Sequence, residues 1–107
     1  AAALGDIGQY FPDTDPQWKG AGSLELLKTA WKLVAAQGFL LANVDATVIC
    51  EQPKISSRNL EIRQSLAEAL GLVIDQVSVK ATRGEGLGPE GRGECLTAQA
   101  VVLLEKK

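Results

Sequence analysis

Leu40-Leu41-Ala42-Asn43-Val44-Asp45-Ala46-Thr47-Val48-Ile49-Cys50 is the stretch on which the fold turns. Ala42, Val44, Ala46 and Val48 alternate with Asn43, Asp45 and Thr47, the period-2 pattern of a strand with one apolar face. Pro53 ends it. On its N-terminal side, Leu27, Ala30, Trp31 and Val34 recur at helical spacing, with Ser23 as N-cap, Glu25 in the favourable first turn and Gly38 as the stop. Trp31 in that stripe reads as core. On the C-terminal side a second helix starts near Ser56 or Ser57 and runs to Leu70, with Ile62, Leu66, Ala69 and Leu70 on one face and Gly71 as its stop. Val77, Val79 and Ala81 alternate with Ser78 and Lys80 in a further strand. The last strand covers about Thr97 to Leu104. The order helix, strand, helix, strand, strand predicts an α+β domain: a small sheet with helices on one face. Ala98, Ala100, Val102 and Leu104 make one side of the last strand apolar, and Val101 and Leu103 the other. Strands apolar on both sides are buried on both faces, so another subunit is expected to cover the second face.

At 107 residues the chain reads as one domain, residues 1–107. Aromatics make up only 5%, so the core must be built from Leu, Val, Ile and Ala. The net charge of −2 offers no electrostatic reason to expect nucleic acid or an anionic membrane. No apolar run approaches the ~20 residues of a membrane span, and no signal-peptide pattern is read. Cys50 and Cys95 fit no metal or redox spacing and read as buried or partly buried free thiols, which favours a reducing compartment. Histidine is absent, which removes the commonest general base and metal ligand. A metal held by these residues alone would need carboxylates and would be a hard ion such as magnesium. Ala1-Ala2-Ala3-Leu4 is helix-forming sequence too short to nucleate a helix, and reads as the tail of a helix that starts upstream.

Three loops carry the chemistry. Gly5-Asp6-Ile7-Gly8-Gln9-Tyr10-Phe11-Pro12-Asp13-Thr14-Asp15-Pro16 combines turn residues with two aromatics and three carboxylates, and reads as an ordered loop suited either to a polyhydroxylated ligand or to a structural turn. Cys50 to Ile55 follows the first strand. Thr82 to Arg92 follows the second. Lys54 and Arg92 could hold phosphate oxygens, Thr82 could donate a hydroxyl, and Glu85 could hold a magnesium ion that bridges phosphates. Each taken singly also reads as a solvated surface group. Gly86-Leu87-Gly88-Pro89-Glu90-Gly91 matches G-x-G-x-x-G, but Pro89 follows the second glycine and no helix is expected to open after it. The dinucleotide reading is therefore rejected.

Gly5-Asp-Ile-Gly8, Phe11-Pro-Asp-Thr-Asp-Pro16, Trp18-Lys-Gly20, Asn43-Val-Asp-Ala-Thr47, Gln52-Pro-Lys54, Asp75-Gln-Val77, Val79-Lys-Ala-Thr82 and Gly91-Arg-Gly-Glu94 fall in the order of one family. Through them the chain resembles the 2-C-methyl-D-erythritol 2,4-cyclodiphosphate synthases of non-mevalonate isoprenoid synthesis. The resemblance implies a homotrimer with sites between subunits, in the bacterial cytoplasm or the plastid stroma. It implies a lyase that cyclises 4-diphosphocytidyl-2-C-methyl-D-erythritol 2-phosphate and expels CMP. Asp6 and Gly8 would meet the ribose, and Phe11, Asp13 and Asp15 would line the methylerythritol pocket. Cys50 to Ile55, with Glu51, Gln52 and Pro53, would cradle cytosine through backbone groups. Lys54, Thr82 and Arg92 would act on the phosphates as the catalytic set, and Glu85 would hold magnesium. The complete family enzyme also carries an Asp-x-His motif and a further histidine for a zinc-like or manganese ion, and these have no counterpart here.

Two readings follow. The sequence is the C-terminal two thirds of an enzyme and inactive alone, or it is a degenerate homologue that serves as a structural or nucleotide-binding subunit. The family's Thr-Thr-Thr-Glu appears as Thr82-Arg83-Gly84-Glu85. Arg83 would either add a phosphate grip or pair with Glu85 and spoil the magnesium position; the pairing is the expectation.

Overall fold

A computed structural model describes residues 1–107. The elements are α1 (Ile7–Tyr10), α2 (Ser23–Ala35), β1 (Phe39–Ile49), α3 (Asn59–Leu70), β2 (Val77–Thr82), α4 (Gly88–Gly91) and β3 (Thr97–Lys106). The strands form one sheet in the order β2-β1-β3. β1 runs parallel to β2, from Val44↔Val77 to Ile49↔Thr82, and antiparallel to β3, from Phe39↔Lys106 to Ile49↔Thr97. The α+β reading holds.

The register puts Val44 and Ala46 level with Val77 and Val79 on one side and with Val102 and Ala100 on the other. This is the face on which the helices lie. Leu41, Val44 and Leu70 pack with Leu27 and Trp31, so Trp31 belongs to the core as expected. Ala67, Val77 and Val79 pack with Ile62 and Leu66. Polar side chains lock α3 onto β2. Asn59 Nδ2 donates to the Val79 carbonyl at 2.6 Å, and Arg63 donates from Nε to the Val77 carbonyl at 2.8 Å and from Nη2 to that of Ile74 at 3.1 Å. A buried carbonyl without a partner is costly, so these bonds fix which edge of the sheet α3 covers. The register between β1 and β3 slips at Ala42, and Gln76 Nε2 donates to the Ala42 carbonyl at 2.9 Å. Gly71, at φ 69°, stops α3 as its left-handed conformation demands.

Several expectations are corrected. α2 is capped by Gly22, with Ser23 its first helical residue and no side-chain cap bond. Ala36 ends α2 while still in helical conformation, so Gly38 (φ 89°) lies beyond the stop. There its carbonyl accepts the Lys107 N–H at 2.9 Å. The loop at 5–16 contains the helical turn α1, and the glycine-rich loop contains α4, with Pro89 inside its first turn where its missing N–H costs nothing. Ala1 to Leu4 are not helical, and Ala3 sits at φ 57°. Cys50 is buried, but Cys95 is exposed rather than partly buried. On the face away from the helices nothing in the chain covers β3: Val101 is 73% exposed and Leu103 54%. Their neighbours across β1 include Asp45, which pairs with Lys80 at 3.0 Å.

Candidate functional site

Parallel pairing brings the C-terminal ends of β1 and β2 side by side, and the Cys50 N–H donates to the Thr82 carbonyl at 3.0 Å. Two of the three sequence-marked loops therefore leave the sheet at one point. The 50–55 loop is internally tied. Cys50 Sγ donates to the Gln52 carbonyl at 2.8 Å, and Ser57 Oγ to that of Lys54 at 3.0 Å. The Gln52–Pro53 peptide is cis. Between the loops lies a cavity of about 130 Å³ lined by Cys50, Lys54, Ile55, Ser56, Ala81, Thr82 and Arg83. An ammonium, a guanidinium and two hydroxyls border this one small space, groups whose chemistry is to donate to an anion. Lys54 and Thr82, which the sequence reading put on separate loops, line this one cavity.

Glu51 ties the two loops. Its carboxylate pairs with Arg83 Nη2 at 3.1 Å and accepts the Glu85 N–H at 3.2 Å. Arg83 thus pairs with Glu51, not with Glu85. The reason is register: Glu51 and Arg83 lie just past the paired residues Ile49 and Thr82, whereas Glu85 has turned away at φ 54°. Glu51 was expected only as part of a cradle built from backbone. The use of its carboxylate between the loops was legible only through strand register. The Glu85 carboxylate takes part in none of the chain's ion pairs.

Arg92 does not line this cavity. It pairs with Glu94 at 2.7 Å beyond the glycine turn. That turn is backbone packed on backbone: a Cβ on Gly84 would strike Gly91, and one on Gly91 would strike Gly86. Thr97 Oγ1 donates to Glu90 Oε1 at 2.9 Å. The backbone N–H of Glu90 itself, then Thr97 and Arg92, hold the Glu90 carboxyl below the usual carboxylate range.

The 5–16 loop stands apart. Asp6 N–H donates to Gln9 Oε1 at 3.2 Å and the Tyr10 hydroxyl to the Leu4 carbonyl at 2.9 Å. Gly5, at φ 95°, has no room for a Cβ beside Gln9. Phe11 meets Trp18 edge-on at 4.8 Å, and Asp15 Oδ1 accepts the Gln17 N–H at 3.0 Å, so both have structural work in the turn. Asp6, Tyr10 and Phe11 line a separate cavity of about 190 Å³ against Leu33 and Val34 of α2. Gly8 lies beside Asp6, and Asp13 is exposed. Within one chain, then, the Asp6 loop and the Lys54–Thr82 cavity are not joined. Nowhere do three or more His, Cys, Asp or Glu side chains converge as a metal-binding group. No helix is long and apolar enough to cross a membrane.

A small mixed sheet with helices on one face and motif loops at its strand ends defines the class. The chain belongs to the YgbB family, whose model matches residues 1–105. It is 55% identical over 106 residues to the 2-C-methyl-D-erythritol 2,4-cyclodiphosphate synthase of Gloeobacter violaceus, across 99% of this chain and 65% of that protein. The chain thus spans about two thirds of that relative's length, 65%. Among solved structures, the bifunctional IspDF of Campylobacter jejuni superposes with a TM-score of 0.94 at 40% identity, over all of this chain and 29% of that one. A 2C-methyl-D-erythritol-2,4-cyclodiphosphate synthase in its CDP-bound form gives 0.86 at 36% identity, over 95% of this chain and 65% of that one.

Proposed function

We propose that the chain is the cytidine- and phosphate-handling part of a cyclodiphosphate synthase. The reaction converts 4-diphosphocytidyl-2-C-methyl-D-erythritol 2-phosphate to 2-C-methyl-D-erythritol 2,4-cyclodiphosphate and CMP. An oxygen of the 2-phosphate attacks the β-phosphorus, a new P–O bond closes the ring, and the bond to CMP breaks with its electron pair leaving on CMP. Such a transfer needs positioning and charge neutralisation rather than a covalent partner. Lys54 and Thr82 supply donors at the cavity, and Arg92 reaches a phosphate by letting go of Glu94. Backbone groups of residues 50–55, with Glu51, Gln52 and Pro53, receive cytosine. Asp6 and Gly8 hold the ribose, and Phe11, Asp13 and Asp15 border the methylerythritol.

The observation that carries this reading is the meeting of the Gln52-Pro53-Lys54 and Thr82 loops at paired strand ends, in a chain 55% identical to a synthase. The Asp6 loop lines a different cavity, which favours a site completed between subunits of a homotrimer through the uncovered sheet face. For the divalent metal, Glu85 fits magnesium: one carboxylate free of ion pairs suits an ion that takes its remaining oxygens from phosphates and water. Magnesium bound there would neutralise phosphate charge. A zinc or manganese centre does not fit, because no three-donor group exists in the chain, and no step is assigned to one.

Calorimetry with CMP and CDP is the test. The expected result is cytidine-nucleotide binding tighter than UMP or AMP, with Asp6→Ala losing most of it. No binding at millimolar nucleotide, in a chain shown to be folded and trimeric, favours instead a non-catalytic structural subunit.

A further inference from the structure

We infer that Asn59 is a positioning residue for the 50–58 loop: through its bond to the Val79 carbonyl it seats that loop against the end of β2. This deepens the proposed function and rests on its reading that backbone groups of residues 50–55 receive cytosine. β2 is an edge strand, and an edge strand leaves a row of carbonyls without a partner strand. α3 takes two of them. Asn59 Nδ2 donates to the Val79 carbonyl at 2.6 Å, and Arg63 Nε to that of Val77 at 2.8 Å. The spacings match: four residues of helix rise about 6 Å, and two of strand about 6.6 Å. α3 therefore lies along this edge in one register, running against β2, and a slip by one helical turn would break both bonds.

The residue type is used in an uncommon way. Asparagine at a helix start ordinarily stands at the N-cap, where its side-chain oxygen accepts an N–H of the first turn. Here Asn59 is the first helical residue, Arg58 holds the cap position with no side-chain cap bond, and the Asn59 amide goes to the strand instead. Its neighbours Arg58 and Leu60 are exposed, whereas Asn59 is half-buried against the sheet. The consequence reaches the loop. At its front, the Cys50 N–H donates to the Thr82 carbonyl at 3.0 Å. At its back, Asn59 takes Val79, three positions earlier on the same strand. Between these ties the Arg58 N–H donates to the Ile55 carbonyl at 2.9 Å, and the Ser57 hydroxyl to that of Lys54 at 3.0 Å. The loop is clamped at both ends to one strand, and its internal bonds carry the position of Asn59 forward to Lys54 and Ile55. Arg63 lies one turn further from the loop, so it holds helix to sheet without setting the loop backbone.

Asn59→Asp tests this, because it keeps the side-chain shape and adds negative charge at a helix N-terminus, where such charge is favourable, but removes the donor. Arg63→Ala is the reference. Amide exchange by NMR and calorimetry with CDP are read on the intact chain, with dispersed amide spectra reporting that each variant is folded. In Asn59→Asp the Arg58 amide should exchange about tenfold faster and CDP should bind about tenfold more weakly, the scale of one hydrogen bond. The amides of Leu66 and Leu70 in α3 should not change. Arg63→Ala should do the reverse, with faster exchange in α3 and CDP affinity little moved. Asn59→Ala, read in the same way, replaces the aspartate variant if the carboxylate unfolds the chain. A role in helix stability alone predicts CDP affinity that follows α3 exchange in both variants, and that pattern overturns the inference. Arg58 exchange or CDP affinity unmoved by loss of the Asn59 donor overturns it as well. If the native chain binds no CDP, the cytidine reading fails and Arg58 exchange decides the inference alone: a rise confined to the loop upholds it, and no rise overturns it.

Discussion

Val77 on β2 and Val101 on β3 flank the same central strand, yet Val77 is 1% exposed and Val101 73%. They point to opposite faces of the sheet. Over Val77 lies α3, held by Asn59 and Arg63, whose side chains reach the backbone of β2 itself. Over Val101 the chain has nothing. Even on the helix face the cover is uneven. Between α2, α3 and the β3 side of the sheet remains an apolar cavity of about 340 Å³, walled by Trp31, Val34, Leu66, Ala100 and Val102 among others. Burial in this molecule follows from which element is pinned onto a face, not from how apolar the strand is.

The sharpest way to break this comparison is at its buried end. Val77→Asp puts a carboxylate among Ala67, Val79, Ile62 and Leu66 and should cost about 4 kcal/mol or more, enough to abolish a cooperative thermal transition by circular dichroism. Next comes the pin. Arg63→Ala leaves the Val77 and Ile74 carbonyls without their donor and should lower stability by about 2 kcal/mol in urea unfolding. Arg63→Leu, which keeps some packing but no donor, should not recover it.

The open face predicts a different pattern. Val101→Ser with Leu103→Ser should change the stability of the isolated subunit by no more than about 0.5 kcal/mol, while sedimentation equilibrium shifts toward monomer. A native chain already monomeric at micromolar concentration would remove the subunit from that face. The smallest effect lies at the edge of β3. The lowered Glu90 carboxyl favours the folded loop above the ordinary carboxylate range, and that contribution is lost as pH falls through its lowered folded value. Glu90→Gln should flatten the acid-side pH dependence of Thr97 amide exchange without moving the neutral-pH value much.

Most of the sheet was legible. Alternation over Ala42 to Val48 and Val77 to Ala81 maps onto β1 and β2, because a half-covered strand must show its period. Gly71 stopped α3 because left-handed backbone needs glycine. The two short turns α1 and α4 were hidden, since four residues carry no periodicity and Gly and Pro read as breakers. The Lys54 and Thr82 loops were found from residue type at strand ends, and parallel pairing brings them together. The partner of Arg83 was misassigned to Glu85, its neighbour along the chain.

The sequence by itself determined the elements, their order, the aliphatic core and the loops that carry donors, because those are properties of spacing and composition along the chain. Only the tertiary structure decided that Glu51 meets Arg83, that Arg63 and Gln76 close the open carbonyls of the sheet, and that the Asp6 loop and the Lys54 cavity stand apart within one chain. The first follows from strand register and the others from how helices and loops pack on the sheet, and both depend on contacts between residues that the chain holds far apart.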